Sequence, residues 1–421
     1  MAGCGAPGTG AVPMRGRFVP ARLRLVVAAY GVSLTGSSTL PVALTFTVLE
    51  RRWPTSDIGL IMVATSLPLV LTLPVAGVVG DRVRRGALMV GADGARFVSQ
   101  GALGLLLLLA QPPFALVFVL VGVVGVGDAL FNPSLSALVP AIARGEEQRA
   151  NALLGVTASV ATLAGPALGG LLVAVGRPPA AILLDAGSYA ISAMLLTFAI
   201  RGIDLPLRAH QGENLLVELR RGWKVFIGET WLWSTGLQFA LCNMLAFSPF
   251  VVLGAIVAKT RLGGARPWGI ILACSGIGAF LGGLIALRMK PSRPLLVASL
   301  ASFLFAAPIV AMAAGGGVVV IAAGNVASGM GLAVAVALWA TATQTRVSPE
   351  YLARVSAFDW LGSEALRPVG YALAVPLLHL LGLGEALWVG AATIVATGLA
   401  VLTVPAVRSR VGGETEDRPP P

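Results

Sequence analysis

Residues 77–86 read GVVGDRVRRG and end a run, residues 58–80, that has no charged side chain. Residues 81–85 then hold one acid and three arginines in five positions. A charged cluster after an apolar run can be a phosphate-binding turn, the start of a basic tail, or a connection between membrane spans. The lengths on either side decide. A bilayer core of about 30 Å needs about 20 apolar residues per helix, and apolar runs of that size recur along the chain. Charged residues make up 12% of the 421, and hydrophobic residues 56% with 52 glycines. A typical soluble domain is about 25% charged, and a soluble fold cannot hide this much apolar surface. The composition predicts an all-α membrane protein.

Twelve spans are predicted, at residues 22–49, 57–80, 86–110, 113–140, 148–176, 178–200, 231–259, 266–289, 293–313, 316–345, 354–383 and 385–407. With both termini in the cytoplasm, six basic residues fall outside (Arg51, Arg52, Arg177, Lys259, Arg261 and Arg266) and two within spans (Arg96 and Arg367). The other 22 of the 30 lie inside, as the positive-inside rule requires. A missed span would invert every later loop. Residues 201–229 form the longest internal polar stretch. Within it Leu215, Leu216, Leu219, Trp223, Phe226 and Ile227 share a helical face opposite Glu218, Arg220, Arg221 and Lys224, which predicts an amphipathic helix on the inner membrane surface. The chain thus divides into a tail (1–21), a six-helix half (22–200), the linker (201–229), a second six-helix half (230–407) and a tail (408–421). "GEEQRANALLGVTASVATLAGPALGG" (145–170) and "SPEYLARVSAFDWLGSEALRPVGYAL" (348–373) echo each other weakly, as two repeated halves would.

Other classes lack support. The net charge of +11 is dispersed between apolar spans, so no nucleic-acid surface is predicted. Cys4, Cys242 and Cys274 form no disulfide framework. With only His210 and His379, no metal site or cofactor is predicted. Gly3, Gly5 and Gly8 satisfy G-x-G-x-x-G with no strand before them, and no enzyme signature occurs elsewhere.

Placed between the second and third spans, the opening stretch resembles the signature of the major facilitator superfamily, with Gly77, Gly80, Asp81, Arg82, Arg84 and Arg85 carrying the match. The resemblance implies a carrier of two six-helix halves, with this cluster latching one of its conformations. Here Arg84 follows Val83 directly, without the family's usual glycine. Gly165, Pro166, Gly169 and Gly170 in "GPALGG" resemble the antiporter motif of the superfamily's drug exporters, and "GIGAFLGG" in the eighth span offers a complement in Gly278 and Gly282. "LFNPSLSALVP" (130–140), "QRANAL" (148–153), "LLDAGSYAIS" (183–192) and "LARVSAFDWLGSEALRPVGYAL" (352–373) are similar to the macrolide-efflux type of drug–proton antiporter. That resemblance implies a small amphipathic substrate exported against protons. Nutrient or siderophore transport, or a sensor with a carrier fold, are the alternatives. In the first span "LTGSSTLP" has Ser37 and Ser38 where branch members often carry an acid.

Ionisable groups inside spans are costly and become candidates by default. Asp93 and Arg96 are three apart on one helix and can pair, with Asp128 at similar depth on the next. They read as a structural brace or as proton-handling groups, and Asp185 as structural. Glu364 lies one turn from Arg367, which sits just before Pro368, and the two read either as a structural pair or as one that exchanges partners when protons or substrate arrive. With no acid in the first span, Glu364 is the first choice for proton coupling and Asp128 the second. In the architecture the resemblance implies, spans 1, 4, 7 and 10 line the cavity. Candidates there are Tyr30, Phe46, Phe131, Asn132, Gln238, Asn243, Phe247, Asn325 and Trp339. The predicted protein is a monomer in the cell membrane whose partners are a small molecule, protons and lipid.

Overall fold

The computed structural model describes residues 21–143, 147–175, 177–201 and 215–409. Gly77, Gly80, Asp81 and Arg82 form the last turns of the second span, but their side chains lie outside the described set.

Twelve helices cross the bundle. They are α1 (Ala21–Ser37 and Leu40–Glu50), α2 (Ser56–Arg82), α3 (Arg85–Leu109), α4 (Phe114–Ala143), α5 (Glu147–Ala174) and α6 (Pro178–Ile200). The linker helix Leu215–Gly228 follows. The second set begins with α7 (Thr230–Leu262, with π-helical turns at Asn243–Phe247 and Ala258–Leu262), α8 (Ala265–Arg288) and α9 (Pro294–Ala313). It ends with α10 (Val318–Arg346), α11 (Pro349–Glu364 and Arg367–Leu381) and α12 (Leu383–Thr403). Among the described residues, eleven are long and apolar enough to cross a membrane. The twelfth passage is α11, made of two shorter helices. Its break is written in the sequence, because Pro368 has no N–H to donate and disfavours helical backbone in the residue before it. The expected span at 354–383 therefore starts earlier and is interrupted. In α1, "LTGSSTLP" bends the helix: the Thr39 hydroxyl bonds the Gly36 carbonyl at 2.7 Å, and Pro41 starts the second segment.

Side chains facing away from the bundle are apolar and bare, Leu109, Leu287, Val319 and Leu380 each being at least 80% exposed. Water would penalise that surface; hydrocarbon does not. Within the first six helices α3 packs on α6 and α4, α2 on α4, and α1 on α5 and α6. Within the second six α8 packs on α10, α9 on α10 and α12, and α7 on α11 and α12. Trp223 of the linker helix meets Phe358 of α11 edge-on at 5.4 Å.

The halves meet along α5–α8 and α2–α11. Their close approaches favour the end assigned by the charge asymmetry to the outside. Lys259, at the end of α7, donates to the Leu49 carbonyl at the end of α1. Gly59 of α2 lies against the Tyr371 carbonyl of α11. A side chain on Gly269 of α8 would strike the Pro166 carbonyl and Gly170 of α5. Gly165 and Gly169 face the bend of α1 at Ser38 and Thr39, so "GPALGG" is pinned between α1 and α8. Its complement differs from expectation. Gly278 and Gly282 pack on Val326 and Met330 of α10, and the glycines facing α5 are Gly269 and Gly276. Seven residues make two turns and return to one face, whereas Gly278 is rotated about 200° from Gly276.

Candidate functional site

A cavity of about 460 Å³ lies among α7, α9, α10 and α11, entirely within the second half. It runs from Leu295, near the start of α9, to Phe247 and Arg367 in the middle of α7 and α11. Its lining is divided evenly between aromatic or aliphatic side chains and polar or charged ones, which suits a small organic molecule that also makes hydrogen bonds.

The break in α11 shapes the floor. A helix that stops leaves its last carbonyls without partners, and α7 bonds the chain on both sides of the break, at the end of the first segment and at the start of the second. Asn243 donates its side-chain amide to the Ser363 carbonyl at 2.9 Å, and the Ser248 hydroxyl donates to the Arg367 carbonyl at 3.3 Å. The π-helical turn beginning at Asn243 adds a residue to the helical period, and such turns frequently occur at functional sites. One turn earlier, the Gln238 amide donates to the Ser302 hydroxyl of α9 at 3.2 Å. Phe247 and Phe239 both pack on Phe305, with centroids 5.6 and 6.0 Å away.

Three ionisable groups border this space. Arg367 and Glu364 pair at 2.7 Å, with side chains 41% and 19% exposed, so this pair faces the cavity rather than the packed interior. Asp359 accepts a bond from the Trp339 indole N–H at 3.0 Å. If all three are ionised, the lining carries one net negative charge beside the rings of Trp339 and Trp360. Asp359 and Trp360 are absent from the candidates read from sequence. The cost of charge inside a span, which singled out Glu364, applies equally to Asp359 and would have found it.

Of the nine cavity candidates, Gln238, Asn243, Phe247 and Trp339 line this space. The other five lie elsewhere. Asn325 is buried and donates to the Ile271 carbonyl at 2.5 Å, tying α10 to α8. Phe46 is in the packed core and Phe131 lies under the Arg96 guanidinium, 4.9 Å from ring centroid to Cζ. Tyr30 is half-buried near Asp128, and Asn132 is exposed.

The first half holds a second charged cluster. Arg96 of α3 bonds Asp93 and Asp128, each at 2.6 Å, joining α3 to α4. The Tyr189 ring of α6 lies 4.5 Å from its Cζ. Gly127 makes room for the Arg96 stem, since a side chain there would overlap it. Asp93 and Arg96 are buried, and the Asp128 side chain is 33% exposed. Of the latch residues, Arg84 precedes α3 and Arg85 opens it; Gly77, Gly80, Asp81 and Arg82 are described by backbone alone.

A bundle of twelve apolar helices in two packed halves, with a polar-floored cavity deep inside one of them, defines a multi-pass membrane transporter. Residues 26–370 match the Major Facilitator Superfamily, and the chain belongs to it. The enterobactin exporter EntS of Salmonella typhimurium is 25% identical over 291 residues, 67% of this chain and 68% of that one. The uncharacterized MFS-type transporter YfiS of Bacillus subtilis is 26% identical over 266 residues, 62% of each chain. Among solved structures, the nucleoside transporter NupG superposes with TM-score 0.67 at 11% identity, covering 91% of this chain and 98% of that one. A bacterial homolog of the human lysosomal transporter Spinster, inward-facing and unoccupied, gives 0.63 at 15% identity over 93% and 97%. At those identities the likeness is one of fold.

Proposed function

We propose that the protein exports a small amphipathic organic compound across the cell membrane by alternating access, coupled to the proton gradient, with the cavity of the second half as its substrate site. The observation that carries this reading is the cavity itself. It combines aromatic walls, two amide side chains and an ion pair that is only partly buried. By the distribution of basic residues both termini are cytoplasmic, so the cavity extends toward the cytoplasm while the halves touch at the outer end. That is the arrangement in which an exporter loads its cargo. Export is favoured by the proline-centred "GPALGG" motif between α1 and α8, which resembles that of drug-exporting antiporters, and by the similarity to an exporter.

Coupling is assigned to Glu364. Its carboxylate is paired with Arg367 now and is free to lose that partner when substrate or a proton enters. The relative named for enterobactin export favours a second reading, in which the cargo is a siderophore or another natural product rather than a drug of the macrolide class. Everted membrane vesicles energised with a proton gradient test both. A fluorescent lipophilic amine and a catecholate siderophore are offered in turn, with Trp339→Ala as the control for the cavity. Uptake of one probe that is lost in the variant supports the reading. Uptake of that probe with Trp339→Ala unimpaired would place the substrate elsewhere.

A further inference from the structure

Asp185 of α6 is fully buried, and neither of its carboxylate oxygens has a hydrogen-bond partner. Among the described residues, all the buried side-chain polar atoms without a partner lie on α3 or α6. They are Asp93 Oδ2, Arg96 Nε, Gln100 Oε1, both oxygens of Asp185, the Tyr189 hydroxyl and Ser192 Oγ. A structural carboxylate in a membrane interior is held by bonds. Asp185, expected from sequence to be structural, makes no bond of hydrogen-bonding geometry, although the Tyr189 hydroxyl one turn along its own helix lies beside it.

The charges around it explain the problem. Facing Asp185 are Arg96 and Asp93 from α3, Asp128 from α4 and, on its own helix, Tyr189. From α1 it meets Gly36, whose position its Oδ1 approaches closely, with no ionisable side chain there. Three carboxyls thus share one guanidinium. Arg96 is already committed to Asp93 and Asp128 at 2.6 Å each. An ionised Asp185 would be a third negative charge in a water-poor interior, without a bond or a free cation, and buried groups in that position neutralise instead.

We propose that Asp185 is a proton-binding site of the first half, protonated in this conformation and discharged when Arg96 exchanges partners. In the exchange the O–H bond of the Asp185 carboxyl breaks and one forms on Asp128. Arg96 leaves the neutralised Asp128 for the newly charged Asp185, so the net charge of the cluster is unchanged. Asp128 is the partly exposed member, and from it the proton passes to water. The assignment of this proton to transport rests on the coupled-carrier reading above, and places one proton in the half opposite the substrate cavity.

Asp185→Asn has the shape and neutrality of the protonated acid. Purified wild-type protein should show, in its infrared spectrum at neutral pH, the carbonyl stretch of a buried protonated carboxyl, and Asp185→Asn should lack it. Identical spectra would overturn the proposal. So would failure of the variant to fold, because a site that holds a neutral acid tolerates the amide. In proteoliposomes, using whichever probe the vesicle assay identifies, the variant should keep wild-type counterflow while the proton gradient no longer drives the probe above its equilibrium level. Accumulation at the wild-type level would remove Asp185 from coupling. If the wild-type protein itself ignores the proton gradient, the carrier reading loses its coupling while the infrared band still decides whether Asp185 holds a proton.

Discussion

Replacing Glu364 with glutamine separates two roles that the cavity ion pair can have. The substitution keeps the shape and leaves an amide oxygen to accept from Arg367, but removes the charge. Its cost to stability follows from exposure. A fully buried pair that loses one member costs about 3–5 kcal/mol, because the survivor is stranded. An exposed pair contributes only about 0.2–1 kcal/mol. With Arg367 41% and Glu364 19% exposed, and with a hydrogen bond still available, the lower range applies. A loss of about 1 kcal/mol lowers the melting temperature by about 2–4 °C in a unit of 150–250 residues, so Glu364→Gln should fold and reach the membrane.

Its transport should change far more. One proton moved down a gradient of one pH unit supplies about 1.4 kcal/mol, enough for about tenfold accumulation of a neutral solute. Proteoliposomes containing wild-type protein should approach about tenfold for each proton coupled, and so about a hundredfold if Asp185 carries a second. Those containing Glu364→Gln should equilibrate substrate without concentrating it, and counterflow, which needs no net proton movement, should persist. Unchanged accumulation in the variant would refute the role given to Glu364. Loss of both activities with a normal melting temperature would make Glu364 a substrate ligand instead.

Arg96→Met should be far more damaging than Glu364→Gln, because it strands the buried Asp93 and the partly buried Asp128 beside Asp185. A loss of about 3–5 kcal/mol is expected, read as reduced monodisperse protein in size-exclusion chromatography of detergent extracts. Gly269→Val would push α8 away from the Pro166 carbonyl and Gly170. Spin labels on α5 and α8 should then report a longer separation at the predicted outer end, and an unchanged distance distribution would contradict the packing described. Gln211→Cys, in a chain with Cys4, Cys242 and Cys274 replaced, should react with an impermeant maleimide only after cells are permeabilised. Labelling of intact cells would invert the topology.

The number and placement of the helices were legible because hydrophobic length is a local property, read one segment at a time. So was the ion pair of α11: Glu364 and Arg367 are one turn apart, and Pro368 marks the break that puts them in the middle of a span. Packing partners were less accessible. That Gly269 and Gly276, rather than the Gly278–Gly282 pair, meet α5 depends on which face of α8 turns toward the first half, and the spacing of glycines along one helix does not contain that rotation. The cavity was legible only in part for a similar reason. Phe305 on α9 and Trp360 on α11 line it, but α9 and α11 were not expected to contribute. Asn325 has the chemistry of a ligand-binding amide, yet it turns to the Ile271 carbonyl of a neighbouring helix.

The two halves contain the same local device in different surroundings. Asp93 with Arg96 and Glu364 with Arg367 are both acid–arginine pairs separated by three residues on one helix, with bond lengths of 2.6 and 2.7 Å. Geometry does not distinguish them; burial does. In the first pair the side chains are 0% and 3% exposed, and two further carboxyls compete for the same arginine. In the second they are 19% and 41% exposed, and the pair borders a cavity. A charge shared among several acids in a dry interior responds to the gain or loss of a proton, since nothing else there can restore the balance. A pair bordering a cavity responds to whatever enters it, because a ligand can displace one member from the other. The same motif therefore suits a response to protons alone in one half and a response to both proton and cargo in the other.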